Sequence, residues 1–180
     1  MDYDVTIIGS GVVGLAIARE LSISGLSVLV LEKEHRSGEE ISSRNSGVIH
    51  AGMYYSTNTL KAKLCVDGNR YLYDYLKNKK INHKKVGKLI VATSKAEESK
   101  LENIYKQGLV NGVNVKILSS IEAKEIEPNI DCISAIYSPD TGIIDVPDYI
   151  TALEGDIQCH GGYISTKSKF LSAKKIKNGF

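Results

Sequence analysis

The sequence predicts an α/β chain, a Rossmann-like domain that opens on a βαβ unit and is interrupted by an inserted α+β region. Three observations carry that prediction. Val5-Thr6-Ile7-Ile8 is a short apolar, β-branched run that ends abruptly at Gly9, the pattern of a buried parallel strand. From Val12 to Leu21 the period turns helical, with Ala18 and Leu21 on the face that begins at Gly14, and Gly25 stops it. Ser27-Val28-Leu29-Val30-Leu31-Glu32 then reads as a second buried strand, which closes a right-handed crossover.

The following segment, Lys33 to Thr59, has neither period and is crowded with Ser, Gly, Asn and Thr. An irregular stretch of that length inside a domain is usually functional or disordered, and its buried apolar punctuation (Val48, Ile49, Met53, Tyr54, Tyr55) argues for function. Leu60, Leu64, Tyr71, Leu72, Tyr75 and Leu76 recur at helical spacing to about Asn78. A lysine-rich connector leads to a strand over Gly87 to Thr93, a helix from Lys95 to Val110 and a strand from Val115 to Leu118. Ser119 and Glu122 have capping-box spacing for a brief helix that stops before Pro128. Pro139-Asp140-Thr141-Gly142 is a turn, and Pro147 suits the first position of a helix running to Cys159. Gly161-Gly162 ends that helix, and alternation predicts strands over Tyr163 to Lys177. Asn178-Gly179 is a hairpin-turn signal with no returning strand after it, so the expectation is a chain truncated at its C-terminal end.

Composition narrows the function classes. With 180 residues, 42% of them hydrophobic, the chain can bury a core, and a formal net charge of +2 gives no electrostatic case for nucleic acid or an anionic membrane surface. Cys65, Cys132 and Cys159 are odd in number and lack CxxC spacing, which disfavours a disulfide scaffold or a metal site and fits a reducing compartment. The acidic start Met1-Asp2-Tyr3-Asp4 is unlike a secretory leader, and no apolar run approaches the roughly 18 residues of a membrane span. A soluble cytoplasmic protein is expected, with peripheral contact to the inner membrane as the variant.

Gly9-Ser10-Gly11-Val12-Val13-Gly14 is GxGxxG placed between a strand and a helix, and Glu32 closes the second strand. That is the dinucleotide fingerprint: a tight turn at Gly9, close approach of a diphosphate at Gly11, and close helix packing at Gly14, with the amides of Val12 and Val13 at the helix start. Glu32 can accept both ribose hydroxyls of an adenosine and would repel a 2′-phosphate, which disfavours NADP. The fingerprint alone leaves FAD and NAD open. The long polar loop after the second strand, in place of another helix and strand, favours FAD because it offers many backbone donors.

Ser43-Arg44-Asn45-Ser46-Gly47-Val48-Ile49-His50-Ala51-Gly52-Met53-Tyr54-Tyr55, followed by Leu60-Lys61-Ala62-Lys63-Leu64-Cys65, closely resembles the L-2-hydroxyglutarate dehydrogenase (oxidase) family, a branch of the D-amino-acid-oxidase-like FAD-dependent oxidoreductases. The resemblance continues through Gly87-Lys88-Leu89-Ile90-Val91-Ala92, Glu127-Pro128 and Ser138 to Asp145. It implies a Rossmann-like FAD-binding domain with an inserted α+β substrate domain. The FAD-binding domain would comprise residues 1–78 and 139–180, left incomplete, and residues 79–138 would be the first part of the substrate domain. It implies FAD as cofactor, a small 2-hydroxy acid as substrate and quinone or oxygen as electron acceptor, with no metal and no nucleic acid. Flavin-dependent glycerol-3-phosphate dehydrogenases carry a similar, looser loop, and they or a related amine or hydroxy-acid oxidoreductase are the alternative. A second alternative is an FAD-binding fragment inactive without its C-terminal half.

His50 is the candidate catalytic base, because an imidazole titrating near working pH can take the hydroxyl proton of a hydroxy acid while hydride leaves the same carbon. The same position suits a histidine that bonds to the cofactor or one that only fixes the loop. Ser43, Arg44, Asn45, Ser46 and Gly47 are candidate cofactor contacts beside Gly9, Gly11, Val12, Val13, Gly14 and Glu32. No arginine among Arg19, Arg36, Arg44 and Arg70 is clearly placed to clamp a dicarboxylate.

Overall fold

The computed structural model describes residues 2–177 and 179–180. In chain order the elements are β1 (Val5–Ile8), α1 (Val12–Ile23), β2 (Val28–Leu31), a 3-10 turn (Ile41–Ser43), β3 (Val48–Ile49), α2 (Leu60–Lys79), β4 (His83–Lys84), β5 (Lys88–Ala92), α3 (Lys95–Val110), β6 (Lys116–Ser119), α4 (Ser120–Ile126), β7 (Ser134–Ser138), β8 (Gly142–Ile144), α5 (Val146–Cys159) and β9 (Tyr163–Ser165). Packing divides the chain into one unit of residues 1–45 and 146–180 and a second of residues 46–145. These limits differ from the pattern changes at 78/79 and 138/139, because packing places α2 and the turn after β7 in the second unit.

The first unit is a parallel sheet in the order β1-β2-β9. Its register sets Val5 beside Val28 and Ile7 beside Val30, so these side chains share one face with Ile164. Val28 and Val30 are fully buried, each worth about 1.5–3 kcal/mol of transfer free energy. The opposite face carries Thr6, Ile8, Leu29, Leu31 and Tyr163, with Ile8 and Tyr163 53% and 58% exposed. Helix α1 packs on α5, with Leu15, Ala18 and Ser22 of α1 and Ile150, Leu153 and Ile157 of α5 buried. The Arg19 guanidinium crosses between them, Nε donating to Asp156 Oδ2 at 2.8 Å.

The second unit holds two antiparallel sheets, β3-β8-β4 and β5-β7-β6. Strand β7 is central, pairing from Ser134 to Ser138 with β5 on one side and β6 on the other. Ala51, Met53, Ala92, Leu101, Val113, Val115 and Ile136 form its core. The capping box starts α4 as its spacing requires: Ser119 Oγ accepts from the Glu122 amide, and Glu122 accepts from the Ser119 amide at 2.7 Å.

Several sequence expectations are corrected. Helix α5 begins at Val146, which puts Pro147 second; neither of those positions has an intrahelical acceptor to lose. Of the strands expected over 163–177 only Tyr163–Ser165 forms, paired with β2; further on, a single antiparallel bridge joins Ile176 to Gly179. In α2 the expected apolar stripe is buried only in its C-terminal half: Leu76 is buried and Leu72 and Tyr75 are half-buried, whereas Leu60, Leu64 and Tyr71 are exposed, and Ala62, Asn69 and Tyr73 are buried beside them. The expected turn at Asn178-Gly179 includes a position, Asn178, outside the described residues. Among the described residues no helix is long and apolar enough to cross a membrane.

Candidate functional site

Strand β1 delivers the chain to Gly9, which turns with φ +97°, a left-handed conformation that side chains resist. Its amide donates to the Leu31 carbonyl at 2.8 Å, tying the turn to the end of β2. Helix α1 then starts against the turn itself: a Cβ on Gly14 would sit 2.1 Å from the Gly9 carbonyl oxygen. Gly11 is the N-cap and offers no side-chain acceptor, and the first turn has no acidic residue. The Val12 amide donates to Ser42 Oγ at 3.1 Å, while the Val13 and Gly14 amides have no acceptor among the described residues. Unpaired donors and the positive end of the helix dipole therefore converge on one spot.

Glu32, the last residue of the βαβ fingerprint, is buried and its carboxylate is already engaged. Oε2 accepts from the Ser10 amide at 2.8 Å and from the Ser10 hydroxyl at 2.9 Å, and Oε1 accepts from the Glu34 amide at 2.9 Å. Burial pushes its pKa up, but the bonds from Glu34 and Ser10 outweigh burial and hold the carboxyl below its ordinary value. It is ionised at neutral pH and retains acceptor capacity beyond those three bonds.

The polar loop separates the remaining candidates. Ser43 Oγ donates to the carbonyls of Glu39 and Glu40, so it is spent within its own turn. Asn45 Nδ2 donates to the Ser42 carbonyl at 2.7 Å, and the Arg44 side chain is exposed. A cleft of about 810 Å3 opens here, lined by Arg36, Ser42, Ser43, Arg44, Ile150 and Thr151 among others. The residue that reaches the helix start is Ser42, one position before the candidate. The adjacent serines are equivalent in the sequence; the phase of the 3-10 turn over Ile41–Ser43 distinguishes them.

Ser46, Gly47 and His50 belong to the second unit. Gly47 accepts from the Ile144 amide at 2.9 Å, beside the β3–β8 pairing that carries the chain to His50. The His50 backbone is held from α2. Asn69 Nδ2 donates at 3.0 Å to the His50 carbonyl and at 3.0 Å to the Asp140 carbonyl, and the Cys65 thiol lies 3.7 Å from the His50 carbonyl. Tyr73 adds its hydroxyl to the Asp140 carbonyl at 3.2 Å. Residues 65, 69 and 73 are one helical turn apart, so a single ridge of α2 fixes both segments. Gly52 lets that ridge come close, with φ +100° and a would-be Cβ 2.9 Å from Val66 Cγ2.

The His50 ring itself has no hydrogen-bond partner among the described residues. Burial pushes its pKa below the ordinary value, and the nearby charges of Lys88 and then Lys61 push it further the same way. A neutral imidazole at neutral pH, with both nitrogens unengaged, is able to accept a proton. Ser42, Ser10 and Asn69 are the residues that sequence reasoning did not single out. Asn69 alone left a signal, a polar residue on a helix face otherwise suited to burial.

A glycine-turned βαβ unit with an engaged acidic residue closing its second strand defines a dinucleotide-binding type of fold, and sequence comparison makes the class explicit: the chain belongs to the FAD dependent oxidoreductase family, whose profile matches residues 4–179. Within that family it is similar to the L-2-hydroxyglutarate dehydrogenase, mitochondrial, of Arabidopsis thaliana, 47% identical over 151 residues, 83% of this chain and 31% of the relative. The protein of that name from Homo sapiens is 42% identical over 178 residues, 97% of this chain and 38% of the relative. Among solved structures, L-alpha-glycerophosphate oxidase from Mycoplasma pneumoniae, reduced with dithionite and with FAD bound, superposes with a TM-score of 0.85 at 32% identity, over 93% of this chain and 45% of that one. Glycine oxidase from Geobacillus kaustophilus gives 0.82 at 27% identity, over 92% and 46%. The chain thus spans less than half the length of each of these proteins.

Proposed function

We propose that this chain forms part of an FAD-dependent oxidoreductase that converts a 2-hydroxy acid, L-2-hydroxyglutarate, to its 2-oxo acid, 2-oxoglutarate. The residues present fit the cofactor. Bare glycine backbone and the two unpartnered amides at the start of α1 suit a diphosphate, and the Glu32 carboxylate suits a ribose. Gly9, Gly11, Val12, Val13, Gly14 and Glu32 would hold the ADP half, with Ser42 and the backbone of residues 43–45 beside them. In this reading residues 1–78 and 139–180 serve FAD and residues 79–138 begin the substrate domain. When bound, FAD supplies a two-electron acceptor at flavin N5.

The observation that carries the reading is His50: a ring with no partner, kept neutral, on a backbone pinned by Asn69. His50 takes the proton of the substrate hydroxyl as the carbon–hydrogen electron pair leaves, and the C–O bond becomes the carbonyl of the 2-oxo acid. Quinone or oxygen then removes the electrons. Relatives named for mitochondria stand beside the cytoplasmic location that the cysteine usage suggests.

A second reading, oxidation of glycerol 3-phosphate, is favoured by the likeness to the glycerophosphate oxidase structure. A third is an FAD-binding piece that needs further polypeptide, favoured by the short span of the relatives covered. Anaerobic bleaching of the flavin separates them. L-2-hydroxyglutarate is expected to reduce FAD-loaded protein, and His50→Ala to slow reduction by about 100-fold or more. Bleaching by glycerol 3-phosphate alone selects the second reading; retention of FAD with no bleaching by either selects the third.

A further inference from the structure

Helix α2 presents Lys61 one turn before Cys65, on the ridge that holds the His50 carbonyl, and β5 opens with Lys88. Each ammonium rests on one of two adjacent tyrosines of the His50 loop: Lys61 Nζ lies 4.5 Å from the Tyr55 ring centre and Lys88 Nζ 5.7 Å from that of Tyr54. Among the described residues neither lysine has a carboxylate partner. Lys61 also sits in the first turn of α2, where the helix dipole disfavours a cation and where no acidic residue compensates it. Two charges without a carboxylate partner, each resting on a tyrosine of the loop that carries His50, suit an anion at that loop better than they suit the stability of the unit.

We propose that Lys61 and Lys88 form a two-cation receptor for a dicarboxylic 2-hydroxy acid, holding its carboxylates while the carbinol faces His50. The receptor supplies the clamp that none of the four arginines provides. It depends on the reading of His50 as the proton acceptor, and it assigns the residues that would hold the two carboxylates of the proposed substrate. After burial, the charges of Lys88 and Lys61 both push the His50 pKa down, an effect that a bound dianion would offset.

The test uses the 180-residue chain and the His50 ring resonances in proton–carbon NMR spectra, at constant ionic strength. L-2-hydroxyglutarate should shift these signals saturably and raise the His50 pKa, as bound carboxylates offset the two ammoniums. L-2-hydroxybutyrate, with one carboxylate, should bind about tenfold more weakly or worse. Lys61→Met and Lys88→Met should each raise the His50 pKa without ligand and weaken the response by about tenfold, and the Lys→Arg variants should keep it. Amide spectra that superpose away from the substituted residues show that the variants are folded. An undiminished response in both Met variants overturns the proposal, as does an equal response to L-2-hydroxybutyrate or glycerol 3-phosphate. FAD binding, read on the same samples by flavin fluorescence, fails or survives independently. A dicarboxylate response without FAD binding sinks the flavin reading and leaves the receptor standing; FAD binding without a dicarboxylate response sinks the receptor alone.

Discussion

At Gly14 a single hydrogen atom decides how close a helix can come to a turn. A methyl group there would lie 2.1 Å from the Gly9 carbonyl oxygen, which leaves no room for alanine, and the obstacle is backbone, which cannot rotate away. Gly14→Ala should therefore lower stability by about 1–3 kcal/mol, read as a lower urea midpoint, and weaken FAD retention together with it. An unchanged midpoint would mean that α1 can slide outward at little cost. His50 makes a prediction of opposite character. Its pKa lies below 6.5 in the folded chain, so below about that pH the unfolded chain binds more protons than the folded one. Stability should hold above pH 6.5 and fall as pH drops through that value, and His50→Gln should flatten this part of the profile in chemical denaturation. Residue-scale legibility was uneven for a physical reason. Gly9 and Gly14 declare themselves because only glycine satisfies their geometry, whereas Ser42 and Ser43 differ only in the direction a short turn aims them.

Among the elements, α2 shows where a sequence pattern is only half right. Leu72, Tyr75 and Leu76 of its apolar stripe are buried or half-buried, but Leu60, Leu64 and Tyr71 are exposed, and the helix docks as well through Asn69 and Tyr73, whose side meets two carbonyls needing donors. Asn69→Leu should cost about 1–3 kcal/mol and speed amide exchange over residues 50–53. Tyr73→Phe, which removes only a bond to Asp140, should cost about 1 kcal/mol and leave that exchange unaltered. In α1 the Ser22 hydroxyl is buried with no partner, so Ser22→Ala should be neutral or raise the melting temperature slightly. The elements β1, α1, β2 and α3 were legible because a local period specifies each of them. Strand β7 was not: Ser134-Ala135-Ile136-Tyr137-Ser138 carries little pattern of its own and becomes a strand by pairing with β5 and β6, both distant in sequence. The reverse held over 166–177, where alternation without a neighbouring strand formed no ladder.

For the whole molecule, the sequence disclosed a dinucleotide-type βαβ start and a separate α+β region, but not where packing would cut the chain. The division after Asn45 falls inside one continuous polar segment, where composition does not change. The parallel sheet of the first unit has its other peculiarity in plain view. Such sheets are ordinarily covered on both sides. Here one side rests on helices and the other leaves Ile8 and Tyr163 more than half exposed, with β1 at an unpaired margin. In dilute buffer that surface should behave as a greasy plate, lighting up the dye ANS and drawing copies of the polypeptide into reversible clumps as concentration rises. Ile8→Lys with Tyr163→Lys should dim the dye and keep the material monodisperse in the ultracentrifuge, which makes this pair the sensible starting point for anyone handling the chain in a test tube.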